Sequence, residues 1–179
     1  PTTTTPTPHP PVMPGHVRRV RAIGQPKYDA AGGLIGCIHY ARRCAIVAPC
    51  CGKVVVCRLC HNVSAEATGC EVETLDRKAI SEVVCGVCGA RQAASNRCVN
   101  ALCGIEFAEY YCDVCHLWSK PSPELKVYLW HCEGCDLCRK GDRNAFVHCE
   151  TCRTCVDSEH KECRRDFNRT NCPVCFEDM

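Results

Sequence analysis

Cysteine dominates the reactive chemistry of this chain. Of 179 residues, 22 are cysteine. Most recur at a gap of two residues: Cys57–Cys60, Cys85–Cys88, Cys112–Cys115, Cys132–Cys135–Cys138, Cys149–Cys152–Cys155 and Cys172–Cys175. That gap turns both sulfurs toward one point, as a tetrahedral ion requires, and it seldom suits a structural disulfide framework. Histidine points the same way. His39, His61, His131, His148 and His160 each lie within three residues of a cysteine. Imidazole has no role in a disulfide and is a common zinc donor. Bound zinc and free thiols imply a reducing, intracellular compartment, cytoplasm or nucleus.

The elements that must hold these groups are short. Only 6% of residues are aromatic, and cysteine inflates the 46% hydrophobic fraction. The fold class expected is therefore small, zinc-stabilised and irregular, with short β-strands and little hydrophobic core. Val54–Val56, Glu82–Val84 and Phe107–Tyr111 read as strands beside their knuckles, and Asp76–Ile80 as a helical turn. Residues 1–31 open with six prolines and five threonines in 14 positions and read as a disordered leader. An internal repeat spaced by 17 residues stands out, HCEGCDLC at 131–138 and HCETCRTC at 148–155. Each copy offers four donors in a row that cannot easily wrap one ion, so neighbouring copies are expected to share ions as links in a chain. No apolar run approaches the roughly 18 residues of a membrane span, and a formal charge of +2 does not suggest a nucleic-acid-binding surface.

Longer strings carry a family resemblance. Cys37-Ile-His39-Tyr40, Ala48-Pro-Cys-Cys51 and Cys57-Arg-Leu-Cys-His61 resemble a CHY-type zinc finger. Tyr110-Tyr-Cys-Asp-Val-Cys115, Trp130-His-Cys-Glu-Gly-Cys-Asp-Leu-Cys-Arg139, Phe146-Val-His-Cys149 and His160-Lys-Glu-Cys163 resemble a CTCHY-type finger. Asn171-Cys-Pro-Val-Cys-Phe-Glu-Asp178 resembles the opening of a RING finger. In this order they resemble the RING and CHY zinc-finger family of ubiquitin ligases, over residues 36–178. The resemblance implies a CHY-type module at 32–106, a CTCHY-type module at 107–166 and an incomplete RING at 167–179, with three zinc ions in each of the first two modules. The chain departs from the family in carrying two of the eight RING ligands, and in lacking a histidine a few residues after Cys57-Arg-Leu-Cys-His61.

Six tetrahedral ions need twenty-four donors. The first block supplies Cys37, His39, Cys50, Cys51, Cys57, Cys60, His61, Cys70, Cys85, Cys88, Cys98 and Cys103. The second supplies Cys112, Cys115, His131, Cys132, Cys135, Cys138, His148, Cys149, Cys152, Cys155, His160 and Cys163. In the first block Cys37, His39, Cys57 and Cys60 form one candidate group. Cys50, Cys51, His61 and Cys70 form a second, in which Cys44 could replace Cys70. Cys85, Cys88, Cys98 and Cys103 form a third. Grouping in the second block stays open. Cys44 otherwise reads as a small buried hydrophobe, His116 as a surface or outer-sphere residue, and Cys172 and Cys175 as lacking partners. Nineteen thiolates with six Zn²⁺ would shift the formal charge from +2 to about −5, which argues against phosphate binding.

Closed four-donor sites are structural, and no H-E-x-x-H motif, phosphate loop or nucleophile elbow is present. The chain is thus expected to have no catalytic site of its own. The resemblance implies the substrate-binding part of a RING-type ligase, acting in protein ubiquitination and proteasomal degradation, with a protein substrate as partner and a conjugating enzyme recruited only if a full RING follows. The alternative is a zinc-built interaction or metal- and redox-sensing module without ligase activity. Leu117, Trp118, Tyr128, Leu129 and Trp130 are candidates either for a contact face or for a small core.

Overall fold

A computed structural model describes residues 20–121 and 128–163. The chain divides into two units, Pro1–Ala108 and Glu109–Met179. The elements are as short as a cysteine-rich chain allows, mostly two to four residues.

The first unit is built on strands β1 (Lys27–Tyr28), β2 (Leu34–Gly36), β3 (Cys44–Val47), β4 (Val54–Val55), β5 (Glu82–Cys85) and β6 (Arg91–Ala93), with helices α1 (Arg58–Asn62) and α2 (Ala65–Thr68). β1 and β2 pair by themselves; the larger sheet runs β4-β3-β5-β6, antiparallel throughout. β3 is buried along its whole length, as a short unbroken apolar run, Cys-Ala-Ile-Val, permits in a central strand. Leu34, Ile46, Val55, Val56, Leu75, Ile80, Val83 and Phe107 close the core around it. Each such side chain contributes about 1.5–3 kcal/mol by burial, so this unit has more apolar support than the composition suggests.

The second unit is three antiparallel hairpins: β7 (Tyr110–Cys112) with β8 (Leu117–Ser119), β9 (Leu129–Cys132) with β10 (Leu137–Lys140), and β11 (Phe146–Cys149) with β12 (Thr154–Asp157). Each hairpin is closed by a Cys-x-x-Cys knuckle. The residue after each knuckle, His116, Asp136 or Arg153, has a φ of 43°, 51° or 52°. Non-glycine residues enter this left-handed region rarely, so its recurrence marks three copies of one turn.

Several local expectations change. Residues 20–31 are not a loose leader: the Ile23 amide bonds the Val54 carbonyl, the Tyr28 hydroxyl donates to the Val20 carbonyl, and Gly24 lies against Cys60. Phe107 belongs to the core of the first unit, and the strand predicted across it begins only at Tyr110. Asp76–Ile80 is a turn: the Asp76 carboxylate accepts from the Lys78 amide, and the Ile80 amide reaches back to the Arg77 carbonyl. Residues 1–19 and 164–179, with Cys172 and Cys175, lie outside the described residues.

Candidate metal centres

The first centre draws Cys37, His39, Cys57 and Cys60 together. His39 Nδ1 lies 3.7, 3.5 and 3.6 Å from the sulfurs of Cys37, Cys57 and Cys60, and Cys37 and Cys57 Sγ are 3.7 Å apart. Zinc holds sulfur at about 2.3 Å and nitrogen at about 2.0–2.1 Å, so donors on a tetrahedron lie about 3.6–3.8 Å apart. The observed separations are those edges. They are far longer than a sulfur–sulfur bond, and every described cysteine is a free thiol.

A helix links this centre to the next. Cys57 caps α1, its sulfur accepting from the Cys60 amide at 3.3 Å. Cys60 and His61 follow one another on the helix, about 100° apart around its axis, so they face different centres. His61 meets Cys50, Cys51 and Cys70, its Nε2 lying 3.3 and 3.8 Å from Cys50 and Cys51 Sγ. The other ring nitrogen is 3.3 Å from Asn62 Oδ1, an outer contact of the kind that orients a metal-bound imidazole. Cys70, not Cys44, is the residue this cluster gathers. Cys44 is fully buried on β3, opposite Cys85, and burial pushes its thiol up to about 12. The third cluster is Cys85, Cys88, Cys98 and Cys103, with sulfurs 3.8 Å apart for Cys85–Cys103 and 3.5 Å for Cys88–Cys98.

The second unit shows how a row of donors is shared. Side chains on a strand alternate between faces, so His131 and Cys132, neighbours on β9, point opposite ways. Register sets Cys138 across from His131, which places those two on one face. They join the preceding knuckle in the cluster Cys112, Cys115, His131 and Cys138. The knuckle of the same hairpin goes forward into Cys132, Cys135, His148 and Cys155, where His148 and Cys155 are again a cross-strand pair. The last knuckle meets a coil: Cys149 Sγ is 3.6 Å from Cys163 Sγ, and His160 Nε2 is 3.9 and 3.5 Å from Cys152 and Cys163. The β9–β10 and β11–β12 hairpins, the two copies of the 17-residue repeat, therefore each serve two clusters.

Outer contacts tune the row. Asp136 Oδ1 lies 3.9 Å from His131 Nε2 and Glu150 Oε1 lies 3.7 Å from His148 Nε2, while the Nδ1 atoms face the sulfurs. Carboxylates on the Nε2 side help orient each ring with Nδ1 toward the sulfurs. Buried Arg139 donates to Cys135 Sγ at 2.9 Å and to Thr154 Oγ1 at 3.0 Å. Burial alone would raise the Cys135 thiol, but Arg139 and neighbouring donors bring it down to about 7. At Cys85 and Cys155 burial prevails, pushing the thiols to about 11 and about 12. A cation joining such thiols favours their ionised form. Gly134 explains itself here: a β-carbon on it would come within 2.5 Å of the His148 ring.

Sequence reading missed the first copy of the hairpin. Tyr111-Cys-Asp-Val-Cys-His-Leu-Trp118 has the spacing of the two repeats, with Tyr111 and Trp118 in the places of histidine and third cysteine. They pair across the hairpin, ring centroids 5.1 Å apart. Leu117 and Trp118 are buried, which removes them from any contact face, while Tyr128 is exposed and Leu129 and Trp130 are half-buried.

Four protein donors per cluster, rich in thiol, suit zinc and fill its tetrahedron. The CHY zinc finger family model matches residues 37–110. The chain is a CHY zinc-finger protein. It is 37% identical over 145 residues to the E3 ubiquitin-protein ligase SRFP1 of Oryza sativa subsp. japonica, covering 79% of this chain and 52% of that one. It is 36% identical over 157 residues to a BRUTUS-like zinc finger protein of Arabidopsis thaliana, covering 85% of this chain and 12% of that one. It is 32% identical over 195 residues to an uncharacterised RING finger protein of Schizosaccharomyces pombe, covering 85% of this chain and 43% of that one. The CHY zinc-finger chain thus spans about half of the first of these relatives and about an eighth of the second. Among the described residues no helix is long and apolar enough to cross a membrane.

Proposed function

We propose that this chain is the zinc-built, substrate-binding part of a RING-type E3 ubiquitin-protein ligase. The second unit is read as a CTCHY-type finger, and the twenty-four donors named above as the ligands of six structural zinc ions. The likeness to a protein named as an E3 ubiquitin-protein ligase carries the reading. The closed clusters support it, since donors that fill the ion's coordination leave no place for a substrate water and put the function on the surface they hold. Ligases of the RING type position a charged conjugating enzyme without forming a covalent ubiquitin intermediate, so no cysteine here is assigned that part.

Two measurements test this. Native mass spectrometry of the chain is expected to show six zinc ions. The complete gene product, incubated with activating enzyme, a panel of conjugating enzymes and ubiquitin, is expected to form conjugates, and a version lacking residues 32–166 to lose its substrate while keeping self-conjugation. A complete product that forms no conjugate with any conjugating enzyme would leave the zinc-built interaction module as the better account.

A further inference from the structure

The six clusters are not equally closed. Of the twenty-four donor residues, only Cys50 and Cys163 are exposed; every other one is buried or half-buried. The two exposed cysteines belong to different clusters, one in each unit. Cys50 sits with Cys51 at the tip of the β3–β4 hairpin, where the Cys51 and Gly52 amides turn back to the Ala48 carbonyl. Its cluster is completed by Cys70, which follows α2 in coil and is half-exposed. Cys163 lies in the coil 161–163, and its cluster is completed by His160 just before it.

The other four are closed by backbone that is itself paired. In the first cluster Cys57 and Cys60 belong to the capped turn of α1. In the third, the Cys98 amide bonds the Ile105 carbonyl and the Cys103 amide the Asn100 carbonyl. In the two hairpin clusters the closing pairs, His131 with Cys138 and His148 with Cys155, are held opposite each other by strand register. Displacing a metal from a four-donor site begins with one donor swinging away while a competing ligand approaches. Both steps are easiest where a sulfur is exposed and its segment is coil, because local opening there breaks few other contacts.

We infer that each unit carries one exchangeable metal site, Cys50/Cys51/His61/Cys70 in the first and Cys149/Cys152/His160/Cys163 in the second, beside four ions held as fixed scaffold. The exchangeable sites would pass zinc to a competing chelator or accept a softer divalent ion such as cadmium, without loss of the β3–β5 sheet or the β9–β10 hairpin. This rests on the zinc reading proposed above.

The test uses the zinc-loaded chain. Its ion count by native mass spectrometry comes first; a count other than six defeats the zinc assignment itself. With six present, a chromogenic zinc chelator is expected to draw off two equivalents about tenfold faster than the remaining four, as local opening allows. Brief alkylation of the loaded chain with N-ethylmaleimide, read by peptide mass spectrometry, is expected to label Cys50, Cys51, Cys70, Cys149 and Cys163 before any other described ligand. Cys163→Ser should remove one fast equivalent and leave the other. Six ions released at a single rate, or first labelling at Cys57, Cys85 or Cys112, would overturn the inference while leaving the zinc reading intact. The alkylation pattern decides even if Cys163→Ser fails to fold.

Discussion

In the first unit, Ile46, Val83 and Phe107 are each no more than 1% exposed behind a four-stranded sheet. In the second, Trp118 is the one large side chain buried as deeply among the described residues. The two units have similar donors and three clusters each, yet reach order by different routes. Where sequence supplies a central strand such as Cys-Ala-Ile-Val, metal adds to a core. Where it supplies only hairpins of three or four residues, metal replaces one. A two-stranded hairpin alone is marginal in water, and a structural zinc can supply on the order of 10 kcal/mol of folding free energy.

Complete removal of metal should separate the two units most sharply. With a strong chelator and a reductant present, amides of residues 109–163 are expected to exchange hydrogen as in an unfolded chain, while those of β3 and β5 keep measurable protection. Equal exchange in both units would end the distinction. A smaller perturbation acts within the second unit alone. Gly134→Ala drives a methyl group into the His148 ring and should cost several kcal/mol and one zinc ion, on the scale of overpacking plus a lost site. Thr151→Ala, at the matching place in the next knuckle, is exposed and should stay within about 0.5 kcal/mol. Similar metal counts for the two variants would mean that the knuckles are not in the register described.

The converse perturbation belongs to the first unit. Ile46→Ala is expected to cost about 2–5 kcal/mol in denaturant unfolding with no change in zinc content; loss of an ion would show that its core and its centres are one structure. A smaller effect than that of Ile46→Ala should come from Arg139→Gln. Losing the guanidinium beside Cys135 is expected to cost about 1–3 kcal/mol and to speed alkylation of Cys135 in the loaded chain, with Arg139→Lys between the two. Unchanged labelling would deny the guanidinium a part in shielding that sulfur.

Much of the site was legible because Cys-x-x-Cys geometry is local. The donors of the first unit could be grouped from spacing, and the structure gathers Cys37/His39/Cys57/Cys60 and Cys85/Cys88/Cys98/Cys103 as separate clusters. The second unit resisted grouping because His-Cys-x-x-Cys-x-x-Cys does not say which face each donor takes. Strand alternation and the pairing of His131 with Cys138 decide that, and register is a tertiary property. Helix α1 was invisible for a different reason: five residues are too few for a helical period to show, and what starts it is the Cys57 sulfur acting as a cap. The packing of residues 20–31 went unread because its contacts are to distant partners, Val54 and Cys60.

The aromatic pair Tyr111 and Trp118 gives the row of hairpins a direction. A hairpin carrying histidine and cysteine at those places must reach back to an earlier knuckle, whereas one carrying two aromatic rings has nothing to reach for and can stand first. Its rings pack on each other, with Trp118 fully buried, where the other two hairpins carry donors. Growth is then possible by duplication: a further 17-residue copy set between Lys140 and Phe146 would find a knuckle before it and a histidine after it, lengthening the row by one ion without remaking either end.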